Sequence, residues 1–207
     1  MKAVIYSLMA FLCLFSIRPA FAAHVPPSAI ITACASDEPA EKADCDAFLR
    51  GSLERLQVYA LKGRIHCRAT PFDVGDIKDL LQYASSHPMA DDGEAGALTF
   101  NYWIDSSERI PCDTVPGYWT MGHLVALCSS DNSGTSPCKS YTTALLLVVN
   151  VEEVANKVTY FCPKGAAVRS DEEVLNYIKT WTTADPGRAD QAAALGYIDA
   201  LKAAYPC

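Results

Sequence analysis

The chain has no Gly-x-Ser-x-Gly elbow, no phosphate-cradling Gly-rich loop and no His-Glu-x-x-His pair. Those absences remove the common signatures of serine hydrolysis, nucleotide binding and zinc proteolysis. Its cysteines nowhere form Cys-x-x-Cys, the close spacing a structural zinc site uses. Histidine is scarce: His24, His66, His87 and His123 are scattered, and only His66, beside Cys67, suggests a thiol–imidazole pair. An even, repeated set of cysteines in an oxidising compartment favours a disulfide at Cys67 instead. Paired carboxylates are expected only as helix-cap residues or exposed acids. No catalytic residue, metal ligand or cofactor site is expected, and the chain is expected not to be an enzyme.

Positive charge is also short. With its N-terminal segment removed, the 17 basic residues lose Lys2 and Arg18, leaving 15 against 24 acids, a net charge of −9 with histidine neutral. Such a chain repels nucleic acid and anionic lipid, and its field favours a basic partner. The long apolar run is confined to the N-terminus. Lys2 precedes the apolar stretch Val4 to Ile17, Arg18-Pro19 ends it, and Ala20-Phe21-Ala22 is a small-x-small cleavage site. Residues 1–22 therefore read as a secretory signal peptide cut after Ala22. The run is short of the roughly 20 apolar residues a span requires, so no membrane association is expected after cleavage. Leu12 is too bulky for lipidation at Cys13.

What remains is an even set of eight cysteines with a period. Cys34, Cys45, Cys67 and Cys112 are separated by 11, 22 and 45 positions; Cys128, Cys138, Cys162 and Cys207 by 10, 24 and 45. Both sets close on Pro-Cys. This is an internal duplication: one module over 23–112, a linker over 113–120 with Pro116 and Gly117, and a second module over 121–207. Each module is near the size at which a lone core gives little net stability and disulfides are needed.

Both modules start with a short apolar stretch before the first cysteine, Ile30 to Ala33 in one and Leu124 to Leu127 in the other. Phe48, Leu49, Leu53, Leu56, Tyr59 and Ala60 then recur at helical spacing, predicting a helix over about 43–61 that ends near Gly63. The matching stretch carries Tyr141, Ala144, Leu145, Val148, Val151, Ala155 and Val158. Its Leu145 to Val149 run favours a strand by propensity alone. Because Phe48 aligns with Tyr141 and Gly51 with Ala144, a helix is expected there too, with a small residue where another helix can pack closely.

A second helix is expected from Asp73 or Asp76 through Ile77, Leu80, Leu81 and Ala84, and from the Ser170–Glu173 capping box through Val174, Tyr177, Ile178 and Trp181. Proline turns follow, at His87-Pro88 and Asp185-Pro186. A third helix is capped by Asp91 to Glu94, with Ala95, Leu98, Tyr102 and Trp103 inward. Its counterpart starts at Asp185 with Pro186 in its first turn, and Ala194, Ile198, Leu201 and Tyr205 form its stripe. The fold class is thus all-α: two tandem disulfide-stapled modules of three to four helices each, packed as a pseudo-dimer. Alternating helix directions favour Cys34–Cys45, Cys67–Cys112, Cys128–Cys138 and Cys162–Cys207, although four cysteines allow three pairings per module.

The order apolar stretch–Cys, Cys-x-x-aromatic-x-x-small, Phe-Cys-Pro, Tyr-bearing helix, proline turn and Ala-rich helix ending Pro-Cys resembles a known family. It is that of the periplasmic immunity proteins that neutralise type VI-secreted peptidoglycan amidases. The second module carries the resemblance through Cys128-Ser-Ser, Cys138-Lys-Ser-Tyr141, Phe161-Cys162-Pro163, Asn176-Tyr177-Ile178, Asp185-Pro186 and Ala204-Tyr205-Pro206-Cys207. The first does so through Cys34-Ala-Ser, Cys45-Asp-Ala-Phe48-Leu-Arg-Gly51, Tyr83, His87-Pro88 and Pro111-Cys112.

The resemblance implies a periplasmic, all-helical toxin inhibitor that dimerises and plugs the amidase cleft with a protruding loop. This chain departs from it by carrying two modules, so a monomer with pseudo-dimeric modules, or a homodimer, is expected. The candidate loops are the proline turns, with His87, Asp91, Asp92 and Glu94 in one and Trp181, Asp185, Arg188 and Asp190 in the other. The competing role for these residues is as helix caps and core. The competing function is a periplasmic stress or chaperone-like protein without a toxin partner.

Overall fold

A computed structural model of the chain describes residues 25–61, 75–89, 95–106, 119–130, 137–162 and 171–207. The expected signal peptide, Cys67, Cys112 and the Ser170 and Asp91–Glu94 caps lie outside these residues. Helices dominate: α1 Pro27–Ala35, α2 Pro39–Leu61, α3 Gly75–Ser86, α4 Ala95–Ser106, α5 Met121–Ser129, α6 Pro137–Asn156, α7 Asp171–Thr183, α8 Pro186–Ala189 and α9 Ala193–Ala204. No strand forms among the described residues; one isolated antiparallel bridge pairs Thr120 with Ala192. The β-branched run in α6 is helical, as the repeat required.

The short apolar stretches before Cys34 and Cys128 are themselves helices. Pro27 opens α1 in a position proline tolerates. The Thr120 side chain caps α5 by accepting from the His123 N–H at 3.2 Å. Their lengths, near two turns, were too short for a helical period to stand out.

The long helices α2 and α6 lie at the centre and form the most extensive helix pair. From Gly51 to Val58 every residue of α2 is buried. The closest approach is at the small residues the alignment picked out. A Cβ on Gly51 would stand 2.5 Å from the Tyr141 carbonyl oxygen and 3.2 Å from Ala144 Cβ. The last helix of each half packs across the centre, α4 against α6 and α9 against α2. Each of the two apolar cores accordingly borrows from the other half: Ala47 and Val58 join the core of α5–α9, and Ala144, Leu147 and Val148 join that of α1–α4.

A repeated device starts the last helices. The Ala95 N–H donates to the Val25 carbonyl at 2.9 Å, and the Ala193 N–H to the Trp119 carbonyl at 2.6 Å. Each satisfies a helix-start N–H that has no partner within its helix. The expected helix from Asp185 is therefore two: Asp185 caps the single turn α8, and α9 begins separately at Ala193. Asp76 lies inside α3 rather than ahead of it. The apolar stripe expected to run down α6 also drifts. Ala155 and Val158 are exposed while Glu152 is buried against Arg55; the helix ends at Asn156, and Lys157 turns the backbone at φ 53°.

Among the described residues three disulfides staple this frame: Cys34–Cys45, Cys128–Cys138 and Cys162–Cys207, with Cα–Cα separations of 5.1, 5.0 and 4.8 Å. The first two tie each short helix to the following long one. The third closes a 45-residue loop around α7 to α9. Such bridges are consistent with an oxidising compartment, and no helix among the described residues is long and apolar enough to cross a membrane.

Removing Cys162–Cys207 by paired serine substitution is expected to cost about 4 kcal/mol, against about 3 kcal/mol for Cys128–Cys138, from loop-closure entropy. Denaturant unfolding of the two variants checks that order. Gly51→Ala should lose roughly 1–3 kcal/mol, since the clash is with backbone that cannot step aside, read as a lower unfolding midpoint.

Candidate functional site

The proline turn between α7 and α9 is built to hold one shape. Asp185 Oδ1 accepts from the Gly187 N–H at 3.0 Å and caps α8. Arg188 reaches back under the turn. Its Nη1 donates to the Trp181 carbonyl at 2.7 Å, and its guanidinium carbon lies 4.2 Å from the centre of the Trp181 ring. Its Nε stands 3.8 Å from Asp185 Oδ2. Trp181 is half-buried against the core. Behind the turn, the Met121 N–H donates to the Gln191 carbonyl at 2.8 Å, and Gly122 lets α5 approach Ala189 closely.

The outcome is a stretch of five consecutive exposed residues, Thr183-Ala184-Asp185-Pro186-Gly187, on a braced base. All five are small or conformationally restricted. Of the expected contact residues here, Asp185 and Asp190 are exposed, whereas Trp181 and Arg188 are spent mainly on each other. Asp185 is at once cap and surface acid.

The other proline turn is described only as far as Met89, so Asp91, Asp92 and Glu94 lie outside it. His87 is exposed and stacks on Tyr83 with ring centres 4.3 Å apart. Tyr83 donates to Asp105 Oδ2 at 2.6 Å. Burial, that hydrogen bond and the Asp105 charge push the phenol up to about 12.

A polar cluster that the sequence did not reveal lies between α2 and α6. Arg55 and Glu152 form a bidentate pair at 2.8 and 2.6 Å with almost no exposed surface. The Arg55 guanidinium also lies 5.4 Å from the Tyr160 ring. Glu54, 5% exposed, accepts from Tyr141 Oη at 2.6 Å and from the Trp119 N–H at 3.0 Å, with Arg50 Nη1 at 3.8 Å from its carboxylate. The Trp119 ring stacks on Tyr141 at 4.8 Å, and Arg50 covers it at 5.2 Å.

Burial raises the Glu54 carboxyl to about 7, against the lowering effect of Tyr141, the Trp119 N–H and Arg50. The only hint in the sequence was the density of polar residues (Ser52, Glu54, Arg55, Gln57) interleaved with the apolar Leu53, Leu56 and Val58. Among the described residues no group of three or more His, Cys, Asp or Glu could hold a metal.

No protein-family model, curated protein or solved structure matches the chain.

Glu54 sets a pH dependence whose sign follows from linkage. Its folded-state value lies above the unfolded one, so the folded chain holds the extra proton between about 4.5 and about 7, and stability falls as pH rises through that window. The loss is about 3 kcal/mol, complete above it. Glu54→Gln keeps one acceptor for the Trp119 N–H, turns an amide N–H toward Tyr141 Oη and cannot titrate, so the native-minus-variant stability difference should slope across that window. A flat difference in denaturant titrations at pH 4.5, 6 and 8 would show that the carboxyl is not held neutral.

Proposed function

We propose that this protein is a periplasmic immunity protein that binds and inhibits a secreted peptidoglycan amidase, with the Thr183–Gly187 turn as its plug. The observation that carries the reading is the turn's bracing. A loop that enters a cleft binds better when its shape is fixed beforehand, because ordering then costs less on association. Asp185, Arg188, Trp181 and the Cys162–Cys207 loop supply that fixation from behind, while five small exposed residues form a narrow front. Asp185 and Asp190 give the front negative charge, in keeping with the acidic chain and a basic partner. The cysteine order and terminal Pro-Cys that resemble the amidase-immunity family point the same way.

The two halves, on this reading, are a covalent pseudo-dimer whose α2–α6 seam replaces a homodimer interface. The alignment partners Gly51 and Ala144 meet at that seam, and each half starts its last helix by the same backbone hydrogen bond. The stress-protein alternative needs broad apolar surface, and the exposed large hydrophobic side chains among the described residues are Val154 and Val158.

The mature protein should form a stable complex with its cognate amidase and abolish peptidoglycan cleavage. Ala184→Trp, on the exposed tip, should weaken inhibition at least tenfold with unchanged thermal stability. A panel of secreted amidases giving neither complex nor inhibition, with dye-binding apolar surface appearing near pH 3, would instead support the stress-protein role.

A further inference from the structure

We infer that the α2–α6 seam carries a pairing code, in which each half accepts the other half and rejects a copy of itself. The inference rests on the pseudo-dimer reading and concerns what that seam recognises. Continuing the alignment of Phe48 with Tyr141 and Gly51 with Ala144 without a gap makes Glu54 the counterpart of Leu147, Arg55 of Val148 and Tyr59 of Glu152. Each cross-seam contact therefore has a counterpart with the roles exchanged. The Tyr141–Glu54 hydrogen bond corresponds to Phe48 and Leu147, which share one apolar core. The Arg55–Glu152 ion pair aligns with Val148 and Tyr59, of which Val148 is buried in that same apolar core. One side of the seam carries matched polar pairs, and the counterpart positions Phe48, Leu147 and Val148 lie together in an apolar core.

Pairing like with like breaks every match. Two copies of the first half would set Phe48 against Glu54 on both sides and give Arg55 no acid. Two copies of the second would set Tyr141 against Leu147 and bury Glu152 without a cation. Stranding one partner of a buried ion pair lowers a pairing constant on the order of a hundredfold or more, and each like pair does so twice. Buried polar groups that fix register and partner at some cost in stability are a known use of such pairs. Two whole chains can still associate by exchanging halves, because each seam of the exchanged dimer remains a first half on a second.

The test uses full-length chains. Arg55→Glu and Glu152→Arg each place like charges across their own seam, yet an exchanged dimer of the two carries one native pair and one reversed pair. Expressed singly, each variant should be poorly soluble or unstable. Expressed together with different tags, they should co-purify as a one-to-one heterodimer, alongside a cis Arg55→Glu/Glu152→Arg control. Native-like monomers of each variant, homodimers of either, or a folded control without rescue in trans would overturn the code.

A second series avoids reversed charges. Arg55→Met and Glu152→Met should each lower the folding constant on the order of a hundredfold, and the double variant should recover most of it. Absence of coupling in the cycle removes the pseudo-dimer reading itself.

Discussion

The fold depends on one close approach. Gly51 lets the α2 backbone come against the Tyr141 carbonyl and Ala144, and everything else at the centre follows from how little room that leaves. At this separation the facing stretches of both long helices lose contact with water, so the charged residues there need partners. Arg55 finds Glu152, and Glu54 finds Tyr141 and Trp119. The apolar residues on the same helices serve both cores at once. Neither half has a complete interior without the other.

The sequence made the frame readable because its marks are local or periodic. Cysteine spacing marked two similar sets, helical periodicity gave α2, α3 and α7, the alignment of those sets gave α6 against its strand propensity, and Asp185-Pro186 marked a cap. The alignment of Gly51 with Ala144 located the tightest contact. What escaped reading depends on distance in space. Glu54 and Arg55 look like surface residues of an amphipathic helix, since their partners lie 87 and 97 positions away. Glu152 interrupts an apolar stripe for the same reason. The helices α1 and α5 escaped because each is only 9 residues long, and α8 because one turn has no period.

The staples and the turn divide the labour. Cys34–Cys45 and Cys128–Cys138 act at short range on helix entry, while Cys162–Cys207 gathers α7 to α9 and with them the braced turn. Arg188 shows how such a turn is made stiff without a large core. One guanidinium serves a carbonyl and an aromatic face and lies near the capping acid. An exposed stretch of Thr, Ala, Asp, Pro and Gly would otherwise sample many shapes.

Trp119 stands where the halves meet in sequence as well as in space. Its N–H donates to Glu54 in the first half, and its carbonyl receives the Ala193 N–H that starts the last helix of the second. A single residue thus reports the state of each half to the other through its own backbone. Loosening α9 frees the carbonyl, which slackens the residue whose N–H satisfies a buried carboxyl on α2. The two halves should accordingly melt as one cooperative unit, with amide exchange at their centres governed by global rather than local opening.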